Sequence, residues 1–160
     1  MRTRLVLTVF VLGLVAVGLA AASLDRNWST HLDGATEVPA NDSAGQGQAI
    51  LHLSKDGTSL DYKLIVANIE NVAQAHIHLG APGVNGPVVA WLYPSGPPAQ
   101  LIPGRSDGVL GQGTITAASL VGPLAGAQLS VLVEALRSNG AYVNVHTSQL
   151  PPGEIRGNIR

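Results

Sequence analysis

Apolar and polar residues alternate along several short segments of the chain, a pattern with a period of two that is typical of half-buried β-strands. The clearest segment is 59–66, where every second residue is apolar or aromatic: Leu60, Tyr62, Leu64 and Val66. The preceding segment, 48–54, is joined to it through Asp56 and Gly57, and glycine accepts the positive φ of a tight hairpin turn. The pattern therefore predicts an antiparallel hairpin in this part of the chain.

Further strands are predicted where short apolar runs lie between turn-forming residues. They are an extended stretch that begins at 28, and the segments 73–79, 88–93, 141–147 and 154–159. Residues 94–113 are rich in proline and glycine and show no period, which predicts a long surface loop. The whole pattern amounts to about seven strands.

One segment has the period of a helix instead. Apolar residues recur there at the spacing i, i+3, i+4 and i+7, on a single stripe: Leu129, Leu132, Val133 and Leu136. Asn139 and Gly140 follow as a left-handed stop signal. We expect one short helix, with the side chains of Leu132 and Leu136 buried against the sheet.

The composition agrees with short strands joined by tight turns. The chain has 19 Gly and 10 Pro, and only 12% of its residues are charged. No internal repeat and no second domain are visible in the sequence. The predicted fold is mainly β, an antiparallel β-sandwich or partly closed barrel, immunoglobulin-like or superoxide-dismutase-like, with one short helix.

The N-terminal segment has the three parts of a secretory signal peptide. Arg2 and Arg4 are followed by an apolar run over 5–19 and by three alanines that fit a signal-peptidase site. This run is shorter than the ~20 residues of a spanning helix, and an uncleaved anchor is the alternative. No cysteine follows it, which excludes a lipoprotein anchor. We expect a signal peptide at 1–22, a single domain at 23–160, and an exported protein, secreted or periplasmic, with no stable membrane span after cleavage.

Charge and cysteine content exclude several classes of function for the mature chain. Without Arg2 and Arg4, seven basic residues oppose ten acidic ones, a net charge of about −3 with neutral histidines. Such a chain lacks a basic surface that neutralises phosphates, so nucleic acid is not an expected partner. The sequence contains no cysteine, which excludes disulfides and zinc–thiolate sites.

Histidines are the residues most able to carry chemistry. His76 and His78 lie two positions apart on a predicted strand and therefore share one face. If the strand that carries His146 is their neighbour in the sheet, three imidazoles converge, a ligand set that suits Zn²⁺ or Cu²⁺. Glu154 is the nearest candidate for a fourth ligand, because the last hairpin returns it beside His146.

The alternative is that these imidazoles are polar residues of a solvated or hydrogen-bonded sheet face. In either case, alternation places Val143 and Val145 in the core, opposite His146. Glu154 and Arg156 share a face, which predicts a structural ion pair with each other or with neighbouring strands. No nucleophile elbow, phosphate-binding loop or pair of catalytic carboxylates stands out, so the sequence does not indicate an enzyme.

Four short motifs occur in order along the chain. They are Leu-Asp-Gly-Ala-Thr-Glu-Val-Pro at 32–39, Asp-Gly-Thr at 56–58, Ala-His-Ile-His-Leu-Gly at 75–80 with Asn-Gly-Pro-Val at 85–88, and Ala-Tyr-Val-Asn-Val-His-Thr at 141–147 with Pro-Gly-Glu-Ile-Arg-Gly at 152–157. Together they resemble the CHRD domain, the module named after its repeats in chordin.

This resemblance implies a β fold and an extracellular or envelope location, not a reaction. In chordin, such domains lie beside cysteine-rich modules that bind secreted growth factors, and this cysteine-free chain is not expected to share that activity. We expect an exported, non-enzymatic CHRD-domain module with a binding or structural role, whose partner is an extracellular or envelope protein or a matrix component. The alternative is a copper- or zinc-binding protein that uses His76, His78 and His146. Their spacing is also similar to a strand motif of copper–zinc superoxide dismutases, whose other ligands and disulfide have no counterparts here.

Overall fold

The computed structural model describes residues 25–160, so the predicted signal peptide, 1–22, lies outside the described residues. Over this range the chain forms eight strands, one α-helix and two short 3-10 turns, Ala117–Ser119 and Gly122–Leu124. In chain order the strands and the helix are β1 (Asn27–Asp33), β2 (Gln46–Leu53), β3 (Leu60–Glu70), β4 (Val72–Leu79), β5 (Val88–Tyr93), β6 (Arg105–Ile115), α1 (Leu129–Arg137), β7 (Ala141–Thr147) and β8 (Ile155–Asn158).

All eight strands belong to one sheet, in the order β5-β4-β7-β8-β1-β2-β3-β6, and every neighbouring pair is antiparallel. The two edge strands approach each other, and the hydroxyl of Tyr62 on β3 donates a 3.0 Å hydrogen bond to the carbonyl of Leu92 on β5. The sheet is therefore nearly closed into a barrel. This confirms the predicted mainly β, partly closed antiparallel fold.

The core fills the inside of the barrel and follows the predicted alternation. Ile77 on β4 and Val143 and Val145 on β7 are fully buried. The apolar stripe of α1 is buried as predicted, with Leu132 0% and Leu136 1% exposed, and the helix packs near β7. No helix within residues 25–160 is long and apolar enough to cross a membrane.

The first strand, β1, and the last strand, β8, are neighbours within the sheet, since β1 lies between β8 and β2. The backbone N–H of Ser29 donates a 2.9 Å hydrogen bond to the carbonyl of Arg160. The N–H of Arg160 donates in return to the carbonyl of Ser29, at 3.3 Å. The two ends of the described chain therefore lie side by side.

The long loop predicted over 94–113 is wrong in its second half, because Arg105–Ile115 forms β6, which pairs with β3. The glycines of β6 interrupt the alternating pattern by which a strand is recognised, and their presence has a structural reason. A Cβ added to Gly111 would lie only 2.4 Å from the carbonyl oxygen of Leu92 on β5. Glycine thus allows close approach of a neighbouring backbone, and its presence removes the alternation by which a strand is recognised.

Three connecting loops cover the outer face of β4, β7 and β8: residues 34–45, 80–87 and 148–154. In consequence, all seven residues of β7 are buried, including those that point away from the core. His76, His78 and His146 are 3%, 8% and 7% exposed. The predicted imidazole face exists, but it is covered rather than solvated.

Candidate metal centre

Strand pairing brings three histidines together on the outer face of the barrel. His76 and His78 lie on β4, and His146 lies on the neighbouring strand β7. Nδ1 of His76 is 3.2 Å from Nε2 of His146. One ring nitrogen from each of the three imidazoles lies within 4.8 Å of the other two. We call these three residues the histidine cluster.

Backbone carbonyls fix the protons of two cluster imidazoles. Nδ1 of His78 is 2.9 Å from the carbonyl oxygen of Gly86. Nδ1 of His146 is likewise 2.9 Å from the carbonyl oxygen of Pro151. A carbonyl can only accept, so each Nδ1 carries the proton and each Nε2 presents a lone pair. Metal-binding histidines commonly donate their second ring N–H in this way, which fixes the ring orientation.

Two nitrogens of the histidine cluster are buried without a hydrogen-bond partner among the described residues: Nε2 of His76 and Nε2 of His78. An unpaired buried polar group destabilises a protein by about 1–3 kcal/mol. In His78, Nδ1 donates its proton to the carbonyl of Gly86, so the unpaired Nε2 carries a free lone pair. Binding of a metal ion at the cluster would satisfy that lone pair.

Electrostatics keep the histidine cluster neutral. Burial, reinforced by the neighbouring imidazoles of His146 and His78, lowers the pKa of His76 to about 3. Burial, reinforced by His146, lowers the pKa of His78 to about 4. Burial also lowers the pKa of His146. Neutral imidazole is the form that binds a metal, so no net release of protons is needed near pH 7. The Nδ1 proton that His76 donates to Nε2 of His146 would have to move to Nε2 of His76.

The spacing of the nitrogens is close to that of a metal site but somewhat wide. Metal–nitrogen bonds of about 2.0–2.1 Å place two ligand nitrogens roughly 3.4 Å apart in a tetrahedral site. The contact between His76 and His146, at 3.2 Å, already fits this distance. The widest separation, up to 4.8 Å, would have to close by roughly 1.4 Å.

Glu154 is not brought into the histidine cluster. Its Oε1 accepts a 2.6 Å hydrogen bond from the hydroxyl of Ser43, and its Oε2 accepts a 2.5 Å hydrogen bond from the hydroxyl of Thr147. The carboxylate thus joins the loop after β1 to the end of β7. The predicted fourth ligand has a structural role instead.

Sequence reasoning missed a buried carboxylate in the same region, that of Glu37. Its side chain is 7% exposed, and Oε1 accepts a 2.7 Å hydrogen bond from Nδ2 of Asn144 on β7. Burial raises the pKa of Glu37. The available signal was its place in the first family motif, since no strand or helix period includes it.

Arg156 is fully buried and joins the cluster to the loop that covers it. Its guanidinium lies 3.4 Å from the centre of the Tyr142 ring. Nη1 donates a 2.8 Å hydrogen bond to Oδ1 of Asn85, and Nη2 donates to the carbonyl of Val84. The ion pair predicted for Arg156 and Glu154, with each other or with neighbouring strands, is not formed among the described residues, and Arg156 makes these bonds to the 80–87 loop instead.

The remaining histidines and one tryptophan complete the surroundings. Trp91 packs edge-on against His76, with ring centres 4.3 Å apart. His31 and His52 are exposed and take no part in the histidine cluster. A surface cleft of about 550 Å³ between β1 and the end of β8 is lined by His31 and Arg160, but by no cluster residue. The cluster is therefore a covered site and not part of this cleft.

A single antiparallel barrel with buried imidazoles on its covered outer face makes this chain a β-domain module with a candidate metal centre. Residues 28–159 match the CHRD domain family, and the chain belongs to that family. CHRD domains occur in extracellular or secreted proteins. No curated protein and no solved structure gives a significant match to the chain.

Three of the four sequence motifs contribute to one set of side chains around the cluster, all of them buried except Asn85, which is exposed. We call this set the outer polar layer: Glu37, His76, His78, Asn85, Tyr142, Asn144, His146 and Arg156. The hairpin motif at 56–58 lies elsewhere, between β2 and β3. Most of the residues that identify the family thus lie at one place in the fold.

Proposed function

We propose that this chain is an exported, non-enzymatic CHRD module that binds one copper or zinc ion through His76, His78 and His146. It would act as a binding or structural component outside the cell or at its envelope. The pattern of a signal peptide at 1–22 and the extracellular occurrence of CHRD domains support export.

The observation that carries the metal assignment is the fixed orientation of the imidazoles. Gly86 and Pro151 hold the Nδ1 protons of His78 and His146, so both rings direct Nε2 lone pairs into a region that His76 also borders. The Nε2 lone pair of His146 accepts a hydrogen bond from Nδ1 of His76, whereas the Nε2 lone pair of His78 has no partner among the described residues. Imidazole nitrogen suits both copper and zinc.

The test is the metal content of protein purified from the native compartment without an affinity tag. We expect about one copper or zinc ion per chain by elemental analysis. His146→Gln should lose the ion, whereas the double variant His31→Gln/His52→Gln, which removes the exposed histidines, should keep it. Circular dichroism confirms that each variant is folded. A wild-type protein that retains no ion after exposure to both metals would contradict the proposal.

Export is tested separately by the mass of the mature protein. Cleavage after Ala22 predicts a mature chain that begins at Ser23 and is recovered from the medium or the envelope fraction. A protein that keeps residues 1–22 and remains in the cytoplasm would contradict export without affecting the metal assignment.

A further inference from the structure

We propose that the ion held by the histidine cluster is monovalent copper, bound by the three imidazoles in a trigonal arrangement without a fourth ligand. This inference rests on the proposed function and specifies which ion the site takes. It follows from the number of ligands, the covering of the site and the charge around it.

The first argument is the ligand set. Zn²⁺ in proteins is almost always four-coordinate, and Cu²⁺ prefers a tetragonal set of ligands. Within residues 25–160, no carboxylate and no thiol lies close enough to His76, His78 and His146 to join them as a ligand. Glu154 is bonded to Ser43 and Thr147, and Glu37 is bonded to Asn144. Monovalent copper, with its filled d shell, is stable with a trigonal set of nitrogen ligands.

The second argument is the covering of the site. A three-histidine zinc centre completes its coordination with a water or substrate molecule at an open position. Here His76, His78 and His146 are only 3%, 8% and 7% exposed. The Nε2 atoms of His76 and His78 have no contact with solvent. The ring nitrogens of His76 and His78 that have no hydrogen-bond partner are therefore shielded from the water that would complete a zinc site.

The third argument is charge. Three neutral imidazoles add no negative charge, and the nearest buried cation is the guanidinium of Arg156, stacked on the same Tyr142 ring that stacks on His78. The cost of moving an ion out of water grows with the square of its charge, so a divalent ion costs about four times as much as a monovalent one. A buried site whose ligands carry no charge therefore favours the ion of lower charge.

The experiment compares three ions on the wild-type protein. Zn²⁺ and Cu²⁺ are titrated against chromophoric chelators, and Cu⁺ is titrated under anaerobic, reducing conditions against a Cu⁺-specific chromophoric chelator. We expect one Cu⁺ per chain, bound about tenfold or more tightly than either divalent ion, a difference of about 1.4 kcal/mol. His146→Gln should remove Cu⁺ binding, and His31→Gln/His52→Gln should leave it unchanged.

The outcomes separate this inference from the proposed function. If Zn²⁺ or Cu²⁺ binds the cluster as tightly as Cu⁺ or more tightly, monovalent copper is overturned while a metal-binding function stands. If none of the three ions binds, both fail. If Cu⁺ binds equally well to His146→Gln, the ion is held elsewhere on the chain and the trigonal site is overturned.

Discussion

The imidazole of His78 stacks on the phenol ring of Tyr142, with ring centres 4.8 Å apart and planes inclined by only 12°. Strand β7 lies between β4 and β8, so Tyr142 sits between His78 and Arg156 in strand order. The Tyr142 hydroxyl also accepts a 3.1 Å hydrogen bond from the N–H of Gly86, whose carbonyl holds the Nδ1 proton of His78. The orientation of one cluster imidazole therefore depends on residues of three strands and one loop.

Arg156→Lys should weaken both the fold and the metal site. A lysine has no planar group to stack on Tyr142 and cannot donate in a fork to Val84 and Asn85, so the 80–87 loop loses its anchor. We expect the free energy of unfolding to fall by about 1–3 kcal/mol in urea titrations. Metal affinity should fall as well.

The matched control is Arg105→Lys, because Arg105 is exposed and pairs with Asp107 at 2.7 Å. This change should alter stability by less than about 0.5 kcal/mol. Equal stability of the two variants would show that Arg156 does not anchor the loop.

Gly86→Ala should disturb the carbonyl that orients His78. A Cβ at this position would lie 1.6 Å from the carbonyl oxygen of Leu79, so the backbone has to move. We expect lower stability and metal affinity reduced by about 10–100-fold, the usual effect of losing a partner of a metal-binding histidine. Gly96→Ala is the control, since a Cβ there meets no atom within 4 Å. If Gly86→Ala leaves the metal affinity unchanged, the carbonyl of Gly86 does not orient His78 for metal binding.

Stability of the metal-free protein should fall as the pH is lowered from about 6.5 towards 4. The pKa of His76 is lowered from 6.5 to about 3, and that of His78 to about 4, chiefly by burial, so the unfolded chain binds protons in this range and the folded chain does not. Stability is therefore complete above about pH 6.5, and each cluster histidine contributes a slope of up to about 1.4 kcal/mol per pH unit below it.

Urea unfolding between pH 5 and 8, with a chelator present, measures this slope in the wild type and in His76→Gln. The variant should show a shallower dependence, while the exposed His52→Gln should match the wild type. The raised pKa of Glu37 acts in the opposite sense, since its stabilising effect is lost as the pH rises above 4.5, and it is common to all three proteins. A slope unaffected by His76→Gln would mean that this imidazole is not buried.

Leu132→Ala should cost about 2–5 kcal/mol, the range for removing a buried leucine side chain. Leu132 is 0% exposed on the face of α1 that packs on the barrel. Val131 lies on the same helix but is 47% exposed, so Val131→Ala should change stability by less than about 0.5 kcal/mol. A loss near zero for Leu132→Ala in chemical unfolding would show that the helix is peripheral.

The face on which each of the three histidines lies was predictable because it depends on strand alternation, whereas the pairing of β4 with β7 that brings them together was a condition the sequence left open. His76 and His78 share a face by their spacing, and Val143 and Val145 place His146 on the opposite side from the core. What the sequence could not show is the covering of that face. The loops that supply Gly86 and Pro151 have no period, and their positions depend on contacts such as the 2.9 Å hydrogen bond from Asn85 to the carbonyl of Val38.

Strand β6 and Glu37 were missed for related reasons. Gly113 on β6 faces Tyr62 so closely that an added Cβ would lie 3.2 Å from the ring. Strand β6 is therefore stabilised by its pairing with β3 and has no alternating pattern of its own. Glu37 lies in a loop, and its buried side chain accepts a hydrogen bond from Asn144, a residue that is distant in the sequence. Contacts between distant segments leave no local pattern.

The hydrogen bonds between Ser29 and Arg160 have a consequence for how the domain can be used in larger proteins. Because its entry and exit points are adjacent, the barrel can be inserted into a surface loop of a host protein, or repeated in a row, without pulling β1 away from β8. The same adjacency makes the sequence suited to circular permutation, with a short linker from residue 160 to residue 25 and new termini in the exposed connection after β5. In such a permuted chain the histidine-bearing strands remain neighbours, although their order along the polypeptide is changed.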